Sequence, residues 1–246
     1  MSPTTPRLPR KSEAQRSRAL EIHDALVERY PDARCELDHR TPHELLVATI
    51  LSAQSTDVGV NKATPGLFAA FPTPEALAAA GADRIEPHLR SLNFFRNKSR
   101  AVAESMRAIV ERHGGEVPRS MDALLELRGV ARKTANVVLG NAFGIDVGVV
   151  VDTHVGRLSK RFRLTRHDEP TKVERDLMAL FPQARWTMLS HLLIFHGRRV
   201  CKARGGSCRE DEICRRYCSE ARATSAPARR SRTSTTSRRA GERVRR

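Results

Sequence analysis

The sequence predicts an all-α protein of two helical lobes with a cleft between them. Three observations lead there. Aromatic residues make up only 4% of the chain against 39% hydrophobic residues in all. A core must therefore rest on Leu, Val, Ile and Ala, a composition that favours helices over sheets. Apolar residues recur at helical spacing in one segment after another, several of them opening on capping residues. Strand signals are nearly absent: residues 147–151 form one β-branched run without a partner run, and read as an extended segment.

Each element follows from local pattern. Residues 1–12 are rich in Pro, Arg and Ser and are expected to be disordered. Residues 13–30 carry Ala19, Ile22, Leu26 and Tyr30 at helical spacing. Thr41-Pro-His-Glu44 joins a capping box to a proline at the first helical position, opening a helix to about Gln54. Thr73-Pro74 starts a helix to Ala80, followed by helices over 84–89 and 97–113, the last stopped by Gly114-Gly115. Ser120 caps a short helix over 121–127, and another runs from Lys133 to Phe143. Thr171-Lys-Val-Glu174 reads as a second capping box, and residues 184–196 as a final apolar helix. Residues 219–246 lack periodicity and read as a disordered basic tail.

A chain of 246 residues suffices for one large domain or two small ones. Its formal charge of +16 points to a polyanion, most often nucleic acid. From Ser219 onward nine Arg face only Glu220 and Glu242, so +7 sits in the tail and +9 in residues 1–218. The folded part is thus basic in its own right. No stretch reaches the ~18–20 apolar residues of a membrane span, and the first residues hold no apolar run of a secretory signal. A cytoplasmic protein is expected. There, Cys201, Cys208, Cys214 and Cys218, clustered within eighteen residues while Cys35 stands alone, point to metal or redox chemistry rather than disulfides. Four thiolates suit an iron–sulfur cubane or zinc.

Leu127-Arg-Gly-Val-Ala-Arg-Lys133 sits between two short helices. Gly129 permits unusual backbone angles and close approach of a phosphate, which the open N–H groups of the second helix can bind without reading sequence. Lys133, in the first turn, stands where a helix disfavours cations, which biases it towards a nucleophilic amine. A solvated lysine touching phosphate is the plainer alternative. Asp152 follows an apolar run, so it is expected partly buried; a helix cap is the other reading, and the two are compatible.

The segments L-R-G-V-A-R-K-T-A-N-V-V-L (127–139) and V-D-T-H (151–154), with L-L-V-A-T-I-L-S-A-Q-S-T-D (45–57) and V-N-K-A-T (60–64), occur in an order that resembles the endonuclease III family of helix-hairpin-helix DNA glycosylases, over about residues 14–218. The resemblance implies a six-helix barrel with the helix-hairpin-helix over 36–146. A terminal helical lobe with a cysteine cluster would comprise 13–35 and 147–218, the two flanking a DNA-binding cleft. It implies base excision repair: Lys133 attacks C1′ of a damaged nucleotide, Asp152 assists, and a Schiff base leads to β-elimination. Double-stranded DNA with damaged bases or abasic sites is the implied partner, oxidised pyrimidines the implied substrates, and a nucleoid-associated monomer the implied state. Because a base acted upon must leave the stack, Gln54, Leu92 and Phe94 are implied to enter the DNA. Of Phe94 and Phe95, one is expected inside and the other at the DNA. Lys98, Gly129, Ala131, Lys202 and Arg204 are implied backbone contacts. The cysteines are implied to hold a [4Fe-4S] cluster, with zinc as the alternative.

Two departures stand out. The family hairpin usually reads L-P-G-V-G, where Arg128 and Ala131 stand here. Ala131 is expected to fit if its φ is negative, and phosphate binding at this hairpin is expected to be either weakened or partly replaced by the Arg128 charge. The family cysteines are spaced C-x6-C-x2-C-x5-C, and these C-x6-C-x5-C-x3-C. An adenine-specific mismatch glycosylase is the alternative within the class, but residues 45–56 hold no Asp or Glu for its carboxylate. A non-catalytic DNA-binding or redox-sensing homologue would not need both Lys133 and Asp152.

Overall fold

The computed structural model describes residues 7–223. Among them the regular structure is helical, with no strand: α1 (Glu13–Arg29), α2 (Pro42–Leu51), α3 (Asp57–Ala70), α4 (Pro74–Leu89), α5 (Phe95–His113), α6 (Met121–Leu125), α7 (Arg132–Phe143), α8 (Thr153–Arg161), α9 (Pro170–Leu180), α10 (Trp186–Arg199), α11 (Glu212–Tyr217) and α12 (Ser219–Ala223). Residues 147–151, expected as an extended segment, carry no helix. Among the described residues no helix is long and apolar enough to cross a membrane.

The helices bury their apolar faces in two separate cores. Leu37 and helices α2 to α7 close round one, with Leu45, Leu46, Leu67, Ile85, Met106, Ile109 and Leu139 at its centre. Helices α1 and α8 to α12 close round the other, with Ile22, Leu26, Leu158, Phe162, Leu177 and Leu192 inside. Full burial of each such side chain is worth about 1.5–3 kcal/mol, and this drives each set of helices together. The chain crosses between the cores at residues 33–37 and 147–149, and α7 packs against α10 across the junction.

Several expectations need correction. Residues 7–12 are tied down: Ser12 and Gln15 form a reciprocal capping box at α1, and the Lys11 ammonium donates to Asp176 at 2.5 Å. Residues 1–6 lie outside the described part, as do 224–246 of the basic tail. The tail's start, 219–223, is helical. Helix α3 was not anticipated, because Gly59, Pro65 and Gly66 depress its propensity. Thr56 caps it and burial of Val60, Leu67 and Phe68 holds it. The second capping box does not form. Glu169 caps α9 instead, and the Glu174 carboxylate turns inward.

Candidate active site and cysteine centre

Leu127 and Val130 are buried and anchor the hairpin turn between α6 and α7. Gly129 sits at φ +80°, where a Cβ would also come within 3.1 Å of Ala101 Cβ. Only glycine tolerates both conditions. Ala131 has φ −98° and ψ 171°, so the alanine fits without strain. It supplies no side-chain cap, which leaves the first N–H groups of α7 open to an external acceptor. The Arg128 guanidinium pairs with Glu104 at 2.5 Å. Both partners of this pair are half-exposed at the surface.

Lys133 is exposed in the first turn of α7. Asp152 is the N-cap of α8, its Oδ1 accepting from the Val155 N–H at 2.8 Å. The two come from helices of different cores, yet both line one cavity of about 110 Å³ between them. Its walls include Thr49 and Ser52 of the first lobe and Ser190 and His191 of the second. Burial holds the His154 imidazole, two residues past Asp152, below its ordinary pKa, against the opposing pull of the Asp152 charge.

A buried carboxylate fixes this geometry. Glu174 of α9 accepts from Arg132 Nε at 2.9 Å and Nη2 at 3.0 Å, and from Asn136 Nδ2 at 3.0 Å. It also lies against Gly148, where any Cβ would collide with its Oε1. Glu174 thus joins α7, which carries Lys133, to the segment that leads to Asp152. Sequence reasoning missed it. The Arg132 neighbouring Lys133 was a signal, but its partner lies 42 residues away.

The loops before α3 and α5 carry the other expected contacts. Gln54 and Phe94 both adopt left-handed backbone conformations, at φ 53° and 56°, which cost a non-glycine residue roughly 1–3 kcal/mol and cluster at functional sites. The Asn93 amide donates to the Gln54 carbonyl at 3.1 Å and so joins the two loops. Phe94 is 60% exposed, while Phe95 packs against the first core. Leu92 differs from expectation: it is only 5% exposed and belongs to the core, at the edge of the groove below Gln54. Lys98 is also corrected. It is buried, donates to Ser55 Oγ at 2.6 Å, and burial holds its pKa below the usual lysine range. It braces the Gln54 loop from inside and does not reach an external phosphate.

Despite their spacing, the four clustered cysteines converge. Their sulfurs all lie within 4.8 Å of one another, with Cys201–Cys208 at 3.8 Å and Cys208–Cys218 at 3.6 Å. Cys201, Cys214 and Cys218 are buried and none forms a disulfide. Two nitrogen groups face the sulfurs: Arg161 Nη1 donates to Cys201 Sγ at 3.2 Å, and His196 Nε2 lies 3.2 Å from Cys214 Sγ. Burial pushes the Cys208 thiol up to about 12. Sulfurs this close ionise together only around a cation, so the donor set fits a thiolate-bound metal group. Cys218, after α11, completes the set. Lys202 and Arg204 are exposed on the loop between the first two cysteines.

Known proteins bear on this geometry. The pattern of the HhH-GPD superfamily of base excision DNA repair proteins matches residues 47–183. Endonuclease III of Synechocystis sp. is 52% identical over 204 residues, 83% of this chain and 93% of the relative. The chain belongs to the endonuclease III family. A solved non-covalent endonuclease III–DNA complex superposes with a TM-score of 0.79 at 40% identity, covering 85% of this chain and 97% of that one. A trapped endonuclease III–DNA covalent intermediate matches with the same TM-score and identity, covering 85% and 98%.

Proposed function

We propose that this endonuclease III family member is a base excision repair enzyme on double-stranded DNA, a glycosylase for oxidised pyrimidines that is also an abasic-site lyase. One observation carries the assignment of residues: Lys133 and Asp152 line the same cavity from opposite lobes. The Lys133 amine would attack C1′ of the extruded nucleotide. The bond from C1′ to the base nitrogen breaks, and its electron pair leaves with the base, which takes up a proton. Asp152 Oδ1 is committed to the α8 cap, and the rest of its carboxylate would steady positive charge on the sugar and take the ammonium proton. The amine adduct opens to an imine. Loss of a C2′ proton then expels the 3′ phosphate, and water releases Lys133.

Residues 36–146 would form one DNA-clasping lobe, and 13–35 with 147–218 the other. The open end of α7 at Gly129 and Ala131 would take a phosphate. Phe94 and Gln54, held in strained backbone, would fill the gap left by the flipped base. Lys202 and Arg204 would add sequence-independent contacts.

Cys201, Cys208, Cys214 and Cys218 would hold a [4Fe-4S] cluster that pins a segment too small to fold alone. Zinc has one specific observation in its favour: sulfurs 3.6–3.8 Å apart match the edge of a tetrahedron with ~2.3 Å metal–sulfur bonds. Iron, sulfide and zinc analysis of purified protein separates the two. A broad visible absorption is expected of the cluster, and colourless zinc protein overturns it.

Borohydride trapping on DNA with an abasic site tests the reaction. A covalent adduct is expected from the native protein and none from Lys133→Gln. An adduct that survives in Lys133→Gln, or none in the native protein, refutes the assignment.

A further inference from the structure

The cavity lined by Lys133 and Asp152 also holds a polar pair that the lyase reaction does not use. His191 of α10 is half-buried and presents Nε2 to Asn141 Oδ1 of α7 at 2.7 Å. The Asn141 amide group is oriented by its own second bond, since its Nδ2 donates to the Val137 carbonyl at 2.8 Å. Its oxygen must therefore face His191, and an oxygen only accepts. It follows that His191 Nε2 carries the proton and Nδ1 is bare. Burial also holds the ring down to about 4, so Nδ1 stays an acceptor at neutral pH. Both His191 and Asn141 line the cavity with Lys133 and Asp152.

Nearby hydroxyls share this bias. Thr49 Oγ1 donates to the Leu45 carbonyl at 2.7 Å and Ser52 Oγ to the Thr49 carbonyl at 2.8 Å. Each has spent its only hydrogen and has just lone pairs left to offer. The neutral part of the wall is thus built to receive an N–H.

We propose that His191, locked in one tautomer by Asn141, is a specificity-determining residue that accepts the ring N3–H of an imide-type pyrimidine extruded into this cavity. The inference rests on the glycosylase reading above and sharpens its substrate class. Uracil- and thymine-derived bases carry a hydrogen on N3. Cytosine-derived bases carry a lone pair there, which would oppose that of Nδ1. A site built around a buried hydrogen bond rejects the analogue that leaves it unmade.

The test compares three duplexes, containing dihydrouracil, 5-hydroxycytosine or an abasic site. His191→Leu keeps an apolar side chain but removes both ring nitrogens, so no acceptor is left there for an N3–H. Excision of dihydrouracil is expected to fall about tenfold relative to 5-hydroxycytosine, with abasic cleavage within twofold of native. In Asn141→Asp the carboxylate favours the doubly protonated ring, turning Nδ1 from acceptor to donor. There the preference is expected to shift towards 5-hydroxycytosine. Unchanged selectivity in both variants, or an equal loss on all three duplexes, overturns the proposal. Failure of the native protein to cleave abasic DNA would instead remove the reading beneath it.

Discussion

The two lobes are stabilised by different means, although each buries a helical core. The lobe around α2 to α7 rests on aliphatic packing, and much of its order comes from neighbours in sequence such as α4 against α5. The lobe around α1 and α8 to α12 combines its apolar core with polar ties between distant residues. Lys11 reaches Asp176, Arg161 reaches Cys201, and Tyr30 Oη meets His196 Nδ1 at 2.9 Å. Four thiols complete it. The first lobe leans mainly on area removed from water; the second adds the cysteine cluster and the polar ties around it. The candidate site takes Lys133 from the first and Asp152 from the second, so it inherits the weaknesses of both.

The largest expected effect is on the second lobe. Cys218→Ser should abolish stoichiometric metal binding and lower Tm by about 10 °C or more, read by elemental analysis and thermal melts. A small shift with metal retained would show that the cysteines are not what holds this lobe. A matched cut in the first lobe, Leu46→Ala, removes a fully buried side chain. It should cost about 2–5 kcal/mol in urea melts while leaving metal content unchanged. Loss of metal here would mean that the lobes do not divide the load as described.

Acid should find the junction next. The His191 pKa is depressed from 6.5 to about 4 by burial, so the unfolded chain binds the proton more readily than the folded one. Its contribution is therefore intact above pH 6.5 and is lost as pH falls from 6.5 towards 4, at up to ~1.4 kcal/mol per pH unit. Melts of the native protein and His191→Gln from pH 7 to pH 5 should converge as pH drops. Parallel curves would contradict the burial argument. The smallest effect is expected from Glu174→Gln, at about 1–3 kcal/mol of stability. Because Glu174 joins the Lys133 and Asp152 segments, the borohydride-trapping rate should fall more than DNA affinity. Equal losses of rate and affinity would reduce it to a scaffold residue.

Much of this was legible beforehand, for identifiable reasons. Ser120, Thr41 and Thr73 cap helices where the pattern put them, because capping is a contact of three residues' range. Gly129 and Ala131 were read correctly because φ preferences are local. Helix α3 escaped because tertiary burial overrode its poor propensity. Leu92 and Lys98 were misplaced because motif position says nothing about which way a side chain turns; the first joined the core and the second found Ser55. Thr171 and Glu174 matched a capping box in spacing alone, and Arg132 offered the carboxylate a stronger partner.

The sequence by itself determined most of the helices, the family, the nucleophile candidate in its hairpin, and the number of cysteines. These depend on residue type and short spacing, which a string of letters carries. Only the tertiary structure decided that Cys218 meets Cys208 despite an altered interval, that Glu174 spans from α9 to α7, and that His191 of α10 pairs with Asn141 of α7. Each depends on two segments meeting in space, and on the rule that a buried polar group takes whichever partner the packing brings within reach.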